Sequence, residues 1–279
     1  MNLAAAWTPP QATPGWAASL ELGYERRGAR TVLARRQQRG PLTVQRPFYP
    51  EGDAVCHTYV LHPPAGIVGG DTLTLACDLA AGSHALITTP GATRWYFSHE
   101  RGARLIQTLN VAAGATLEWL PQETLVFDGA HAHLCTRIAL TGDACAFACE
   151  ILGLGRPAAG EAYRVGALDA RFEILRDGSP LVLDRLHAGP QGVPGLRGNT
   201  ALATVFATGA DDAALAAARA VVADEPDTLA AVTRIGDVLI CRALAPHCEP
   251  LIRLGRSLWS ALRPLLLGRA AIAPRIWRT

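Results

Sequence analysis

Apolar residues recur at every second position through the first two thirds of the chain, and this alternation constrains the fold more than any other feature. From Leu73 to Leu79 the apolar side chains share one face and polar ones the other, and segments 103–111, 134–140 and 147–151 repeat the pattern. Alternate residues of a strand point to opposite faces, so these segments are predicted to be half-buried strands. Many short strands between glycines and prolines indicate a mainly β protein, a sandwich, barrel or stacked sheets rather than βαβ units.

One hairpin and two late helices complete the predicted elements. The Asp-Gly turn within 176–179 predicts a hairpin. Asp211 and Asp212 are suited to open a helix that ends near Ala223. A second helix is predicted from about Pro250, with Pro264 kinking or ending it. Its apolar stripe consists of Leu251, Leu254, Leu258, Leu262 and Leu265, and Arg253, Arg256, Ser260 and Arg263 lie off the stripe. We expect this helix to pack on the sheets; docking to a partner is the alternative.

Composition excludes several classes of protein. The 279 residues are 49% hydrophobic, which is enough to form a core, and the formal net charge of +2 is too small to indicate nucleic-acid binding. Residues 1–50 carry seven arginines and two glutamates, a net +5, which suits either an acidic partner or a solvated strand face. The glycine- and proline-rich segment 188–198 is the best candidate for a domain boundary, or else a loop inside one domain.

The location expected from the sequence is the cytoplasm. Segment 1–15 lacks the basic-then-apolar pattern of an export signal, and no apolar run is long enough to span a membrane. Seven cysteines, an odd number with no C-x-x-C pair, are expected to stay reduced.

The motifs of several enzyme classes are absent or incomplete. The glycines of segment 66–71 resemble a phosphate cradle, but the chain contains no lysine, and an alternating strand follows where a helix would be needed. There is no G-x-S-x-G elbow. Cys56, His57 and His62 form the best soft-ligand cluster. His131 and His133 share a strand face, where a solvated surface is favoured over a metal site.

Carboxylates beside Gly, Pro or Trp form a further candidate set. They are Asp71, Glu118, Glu123, Asp128 and Glu161. Carboxylates and imidazoles that hold a borderline divalent cation weakly would allow it to be passed along. The alternative is that each carboxylate caps a turn or lies in solvent at a strand end.

Three stretches of the chain begin at His62, Thr88 and Leu117 and read HPPAGIVGGD, TTPGATRWY and LEWLPQETLVFDGA. In this order they resemble the urease accessory protein D (UreD) family. The residues that carry the resemblance are His62, Pro63, Gly66, Gly69, Gly70, Asp71, Thr89, Pro90, Gly91, Arg94, Glu118, Pro121, Gln122, Glu123, Asp128 and Gly129. Ala65 departs from the family pattern, in which a second glycine is expected, and it puts the local turn geometry in question.

The resemblance implies a single domain over 1–279, with stacked sheets in a helix-like, β-solenoid-like arrangement and a few helices toward the C-terminus. It implies a non-enzymatic scaffold that joins accessory proteins F and G, the latter a GTPase, on apo-urease so that nickel can be inserted. No permanent cofactor is expected, only Ni²⁺ in transit along a passage. Asp71, Glu123, Asp128 and Glu161, with His62, are the residues we predict to line it. The alternative is a metal-dependent hydrolase that uses the Cys56, His57 and His62 region.

Overall fold

The computed structural model describes residues 15–99, 101–189, 193 and 195–278. It confirms a mainly β, solenoid-like arrangement of stacked sheets with two helices near the C-terminal end. The first nine strands are β1 (Ala17–Arg27), β2 (Arg30–Arg39), β3 (Thr43–Val44), β4 (Cys56–Leu61), β5 (Thr72–Leu79), β6 (His84–Thr88), β7 (Thr93–Trp95), β8 (Ala103–Val111) and β9 (Thr116–Leu120). The remaining elements are β10 (Thr124–Val126), β11 (His131–Leu140), β12 (Cys145–Leu154), β13 (Ala167–Arg176), β14 (Ser179–Ala188), β15 (Ala201–Ala207), α1 (Asp212–Ala223), β16 (Leu229–Ile235), β17 (Val238–Ala245) and α2 (Cys248–Leu267).

The strands form two sheets that stack face to face. The first sheet has the order β14-β13-β11-β8-β5-β1-β2, and the second has the order β16-β17-β15-β12-β9-β6-β4-β3. Inward residues of both sheets, such as Leu75, Leu109 and Trp119, share one buried cluster. The opposite face of the second sheet packs against the helices, so the protein has three layers.

The chain passes between the two sheets as a coil. It runs from β5 to β6, from β8 to β9 and from β11 to β12 through four-residue turns, and each strand pairs in parallel with its equivalent in the next coil. The turns stack as well, because Thr116 N donates to Ser83 O (2.9 Å) and Cys145 N donates to Ala115 O (3.0 Å). The short turns lie at one end of the coils, and the longer returning loops lie at the other.

The predicted hairpin and both predicted helices are present. Arg176 ends β13 and Ser179 begins β14, as the Asp-Gly turn predicted. Helix α1 begins with a side-chain cap, since Asp211 accepts a hydrogen bond from Ala214 N. Helix α2 packs on the second sheet, as expected, and continues three residues beyond Pro264.

The placement of Arg263 off the apolar stripe was wrong, because its side chain is fully buried. Its guanidinium donates from Nε to Glu118 Oε2 (2.9 Å) and from Nη2 to Glu51 Oε2 (2.7 Å). Glu118 lies on β9 and Glu51 lies in the segment before β4. The ion pairs therefore fix helix α2 to the second sheet, and they satisfy a charge that could not otherwise be buried.

Further polar groups complete this buried network. Glu118 also accepts from Trp259 Nε1 (2.5 Å), and its other oxygen lies 2.7 Å from His84 Nε2. His57 Nε2 lies 2.7 Å from Glu51 Oε1. Burial alone would raise the pKa of Glu118, but its hydrogen bonds from His84 and Arg263 lower it to about 2. Glu118 is therefore a structural anion.

Replacing Arg263 should destabilise the protein far more than replacing an exposed arginine of the same helix. Arg263→Met leaves Glu118 and Glu51 buried without their cation, and we expect a loss of about 3–5 kcal/mol in the free energy of unfolding. Arg253→Met removes only exposed pairs with Glu225 and Asp227, and less than about 1 kcal/mol should be lost. Urea unfolding monitored by circular dichroism measures both.

The same network sets a dependence on pH. Because the folded-state pKa of Glu118 is depressed to about 2, its stabilising effect is complete above about pH 4.5 and is lost as the pH falls through about 2.

Equal losses for Arg263→Met and Arg253→Met would contradict a structural role for the network.

Candidate functional site

The residues singled out by the sequence gather at one end of the coils. Four loops, 62–71, 89–102 (described except for residue 100), 121–130 and 155–166, return the chain from the second sheet to the first, and we call them the loop rim. The rim carries His62, Pro63, Gly66, Gly69, Gly70, Asp71, Thr89, Pro90, Gly91, Arg94, Pro121, Gln122, Glu123, Asp128, Gly129 and Glu161. Of the predicted set, Glu118 alone lies elsewhere, in strand β9.

Successive loops of the rim are joined through their backbones. Ile67 N donates to Arg94 O (2.7 Å), and Thr93 N donates to Glu123 O (2.9 Å). Gly129 N donates to Val165 O (2.9 Å). The loops therefore continue the parallel layers of the coils.

Two glycines of the rim allow close approach of an aromatic ring. A Cβ built on Gly66 would lie 1.9 Å from the ring of Tyr96, and one on Gly129 would lie 2.1 Å from the ring of Phe97. Gly129 also has a φ of 72°, which disfavours other residues. Steric contact with these rings thus explains why glycine occupies both positions of the sequence pattern.

Two predicted passage residues hold the shape of the rim. The buried carboxylate of Asp71 accepts from Trp16 N (2.8 Å) and Val68 N (3.0 Å). Asp128 accepts from Val165 N (2.9 Å) and Arg164 N (2.6 Å), and these hydrogen bonds lower its pKa. Both carboxylates therefore cap turns, which was the alternative reading of the set.

The other two predicted carboxylates lie farther along the rim. Glu161 pairs with Arg156 within its own loop. Glu123 is half-buried near Cys248 and Arg256. Burial raises the pKa of the Cys248 thiol, and the nearby charge of Glu123 raises it further. The four carboxylates thus occupy three of the four rim loops, and their role in lining a passage stays a prediction.

A cavity of about 220 Å³ opens beneath the first two rim loops. His62, Thr89 and Arg94 line it at the rim, and Gln107 and Trp119 line it between the sheets. His62 is half-buried, and burial lowers the pKa of its imidazole, opposed by Asp71. A largely neutral imidazole, a metal-ligating group, is thus placed at the mouth.

A row of polar side chains continues from this cavity through the layer between the sheets. The fully buried hydroxyl of Thr136 donates to Gln107 Oε1 (2.8 Å) and lies 3.5 Å from Glu150 Oε1. Glu150, Asp184 and Thr204 line a second cavity of about 10 Å³, near the size of one water molecule. Asp184 pairs with the exposed Arg242 (2.6 Å), so the row reaches the far edge of the sandwich.

Glu150 is the most unusual member of this row. It lies between the two sheets yet keeps accessible surface, as a side chain that lines an internal cavity does. Burial raises the pKa of Glu150 to about 8, and the charge of Asp184 adds to the rise. At neutral pH the carboxyl group keeps its proton, which a divalent cation would have to displace.

Sequence reasoning missed this polar row, although a signal was present. Each of strands β8, β11, β12, β14 and β15 has one polar residue among its inward-facing positions; they are Gln107, Thr136, Glu150, Asp184 and Thr204. Within a single strand such an interruption is unremarkable. Its recurrence in strand after strand marks an interior track, and it becomes visible only once the registers are known.

The residues of the hydrolase alternative are not brought together. Cys56 faces the core between the sheets, whereas His57 faces the helix side and contacts Glu51. His62 lies at the rim. Among the described residues no group of three or more His, Cys, Asp or Glu side chains is arranged to hold a metal ion.

The structure also places His133 and the cysteines. His133 lies on the outer face of the first sheet beside Asp169 (3.3 Å), on the solvated surface that was favoured. All seven cysteines are free thiols. Within the described part of the chain, no helix is long and apolar enough to cross a membrane.

Comparison with known proteins gives a consistent family. The family model described as UreD urease accessory protein matches residues 17–278. The chain belongs to the UreD family. It is 48% identical over 276 residues to the urease accessory protein UreD of Azoarcus sp. (strain BH72), with 96% of each chain covered. It is 46% identical over 279 residues, covering both chains completely, to that of Pseudomonas entomophila (strain L48). Identity to the Klebsiella aerogenes protein is 42% over 271 residues, 97% of this chain and 99% of that one.

The departure of this UreD chain at Ala65 has a measurable conformational effect. Ala65 adopts a φ of 64° in a turn closed by its N–H to His62 O (2.9 Å). A left-handed conformation costs a residue with a Cβ about 1–2 kcal/mol, which glycine avoids. The turn is kept despite this cost.

Ala65→Gly should therefore stabilise the protein by about 1 kcal/mol, the relief of strain less the greater freedom of glycine in the unfolded chain. Ala81→Gly is the control, because Ala81 lies in an exposed turn without a positive φ. That change should destabilise by about 0.5 kcal/mol. Thermal or urea unfolding distinguishes a gain from a loss of stability. A loss in Ala65→Gly would contradict backbone strain at Ala65.

Glu150→Gln should stabilise the protein at neutral pH. Between about pH 4.5 and 8 the unfolded chain has released the Glu150 proton that the folded chain keeps, so stability falls as the pH rises through this range. Glutamine removes this dependence. We expect a gain of about 3 kcal/mol at pH 7 and almost none at pH 4.

Glu173→Gln is the matched control for this prediction. Glu173 lies on the outer face of the first sheet and pairs with the exposed Arg137, so the change should be within about 0.5 kcal/mol. Urea unfolding at several pH values measures both variants. A Glu150→Gln protein as pH-dependent as the wild type would contradict the interior position of this carboxyl group.

Proposed function

We propose that this protein is a non-enzymatic scaffold for urease maturation. It binds apo-urease together with accessory proteins F and G, and it assists GTP-dependent insertion of nickel into the urease active site, in the cytoplasm. Membership of the UreD family and the names of the relatives, all urease accessory proteins, support the maturation role. The absence of lysine from the sequence leaves no phosphate-binding P-loop of its own, which fits GTP hydrolysis by the G protein.

We further propose that nickel crosses this protein through the layer between its sheets. The observation that carries this proposal is the polar row from the cavity at His62 through Gln107, Thr136 and Glu150 to Asp184. An imidazole and carboxylates with few fixed partners bind a borderline cation without trapping it. The surrounding apolar side chains offer it no other ligands.

A secondary role in this proposal falls to the rim carboxylates Asp71, Glu123, Asp128 and Glu161. They lie in three of the four rim loops, where they would offer weak ligands to nickel on its way to the mouth of the cavity. Asp71 and Asp128 act mainly by holding the loops, since backbone N–H groups already occupy their oxygens. We therefore expect His62 and the interior carboxylates to contact nickel directly, with Glu123 and Glu161 still predicted to line the way to them.

The hydrolase alternative has no supporting observation. Its residues Cys56, His57 and His62 point into three different regions. Burial raises the pKa of Cys56, so its thiolate is disfavoured, and its thiol contacts Thr58 rather than a histidine.

The maturation role is tested by separating urease synthesis from nickel loading. In cells that lack this protein, urease should accumulate with less than about a tenth of its normal nickel. Immunoblotting measures the urease, and metal analysis of purified urease measures the nickel. Nickel-replete, active urease in such cells would contradict the role as a whole.

The passage is tested with Glu150→Gln in the same cells. Glutamine keeps the shape and the contact with Thr136 but cannot provide an anionic ligand, so urease nickel should fall at least about tenfold. Glu173→Gln should support normal loading. Both variants should still co-purify with urease, and a normal nickel content with Glu150→Gln would contradict this route. Because Glu150→Gln is expected to be the more stable protein, unfolding cannot account for a loss.

A further inference from the structure

Large apolar side chains are exposed to solvent on the loop rim and on the segment beside it that precedes β1. Trp16, just before β1, is 58% exposed; Val68, Phe97 and Val165 are 47%, 54% and 52% exposed. These are four of the nine large apolar side chains that are exposed among the described residues. Scattered exposed apolar residues are ordinary, whereas a cluster marks an interaction surface.

Backbone contacts show that the four side chains lie in neighbouring layers. The carboxylate of Asp71 joins Trp16 N and Val68 N. Tyr96 N donates to Ile67 O (2.9 Å), which places the adjacent residues Val68 and Phe97 in paired segments. Phe97 packs on Gly129, whose N–H donates to Val165 O. At about 4.8 Å per parallel layer, the strip extends roughly 19 Å along the rim.

The strip is held in place rather than loosely exposed. Gly129 leaves room for the ring of Phe97, and His99, with a φ of 43°, contacts that ring edge-on (centroids 4.5 Å apart). A non-glycine residue in the left-handed region is retained only where its surroundings fix it. The backbone of His99 thus adopts an unfavourable conformation in which its ring supports the exposed ring of Phe97.

Cationic groups flank this apolar strip. The side chains of Arg94 and Arg164 are exposed in the rim loops. The nearby carboxylates of Asp71 and Asp128 are turned into their own backbone. A partner that fits here presents apolar side chains with carboxylates beside them.

We propose that the loop rim is the docking surface for the urease apoprotein, through an apolar segment of urease flanked by acidic residues. This inference rests on the proposed function and adds the location of the contact. Urease is favoured over other partners because the cavity with His62 opens between the same loops. A client bound on the rim would cover the mouth and receive nickel without exposure to solvent.

The test is the affinity of purified wild-type and variant chains for purified apo-urease, measured by interferometry. Phe97→Ser combined with Val68→Ser should weaken binding at least about 30-fold, since both are central anchors. Leu183→Ser combined with Ile235→Ser is the matched control, because these side chains are 68% and 63% exposed on β14 and β16, away from the rim. Control binding should stay within about twofold, and Arg94→Glu should weaken binding chiefly at low salt.

Three results would overturn the docking surface. The first is unchanged urease affinity in the Phe97→Ser and Val68→Ser double variant while the wild type binds. The second is lost binding of the F–G complex with urease binding intact, which would assign the rim to a different partner. The third is loss only of self-association, measured by sedimentation. If the wild type binds no urease at all, the proposed function fails together with the docking surface.

Circular dichroism and urea unfolding provide the structural control. All four substituted side chains are exposed, so both double variants should unfold within about 1 kcal/mol of the wild type. A rim variant that keeps its stability and loses urease affinity supports the proposal. A rim variant that loses both is replaced by Val165→Ser, and unchanged urease affinity in that variant would also overturn the proposal.

Discussion

The buried contact between Arg263 and Glu118 fixes the helix layer of this protein to its second sheet. Apolar contacts have no preferred direction, whereas a guanidinium between two carboxylates requires a defined geometry. Helix α2 is therefore fixed in register on strand β9, and Glu51 joins the segment before β4 to the same point. The face of the second sheet opposite to this network is the one that carries Glu150, so the helix layer supports the interior polar row from behind.

The two ends of the coils differ in the length of their connecting segments, and this difference suits them to different roles. Four-residue turns at one end leave little freedom and repeat one hydrogen-bonding pattern, from Ser83 to Ala115. The returning loops at the other end are longer, and yet they keep the parallel layers through their backbones. This gives the rim the precision of a sheet with the side-chain variety of loops. Exposed apolar groups, cations and the mouth of a cavity can then lie side by side on one surface.

Much of the fold could be predicted from the sequence, and the reasons are local. Alternation identified the strands, the Asp-Gly turn identified the β13–β14 hairpin, and Asp211 identified the start of α1. Arg263 was misplaced because apolar periodicity does not reveal that Glu118 and Glu51 form a buried anionic site where an arginine can be accommodated. The motif residues were gathered at one rim, as a functional site requires, but Asp71 and Asp128 proved to cap turns. The polar row of Gln107, Thr136 and Glu150 was missed because its members come from three strands and meet only through register.

The contact between Arg263 and Glu51 also has a consequence for the order of folding. Neighbouring coils pair residues about 30 positions apart, such as Leu75 with Gln107, whereas Arg263 reaches Glu51 across 212 positions. Closing the larger loop costs roughly 2 kcal/mol more in chain entropy. The coils are therefore expected to assemble first and the helix to arrive last, on a surface that still exposes two carboxylates. Until that step, Glu118 and Glu51 lack the arginine that neutralises them, so docking of the helix is expected to complete the charge balance of the second sheet.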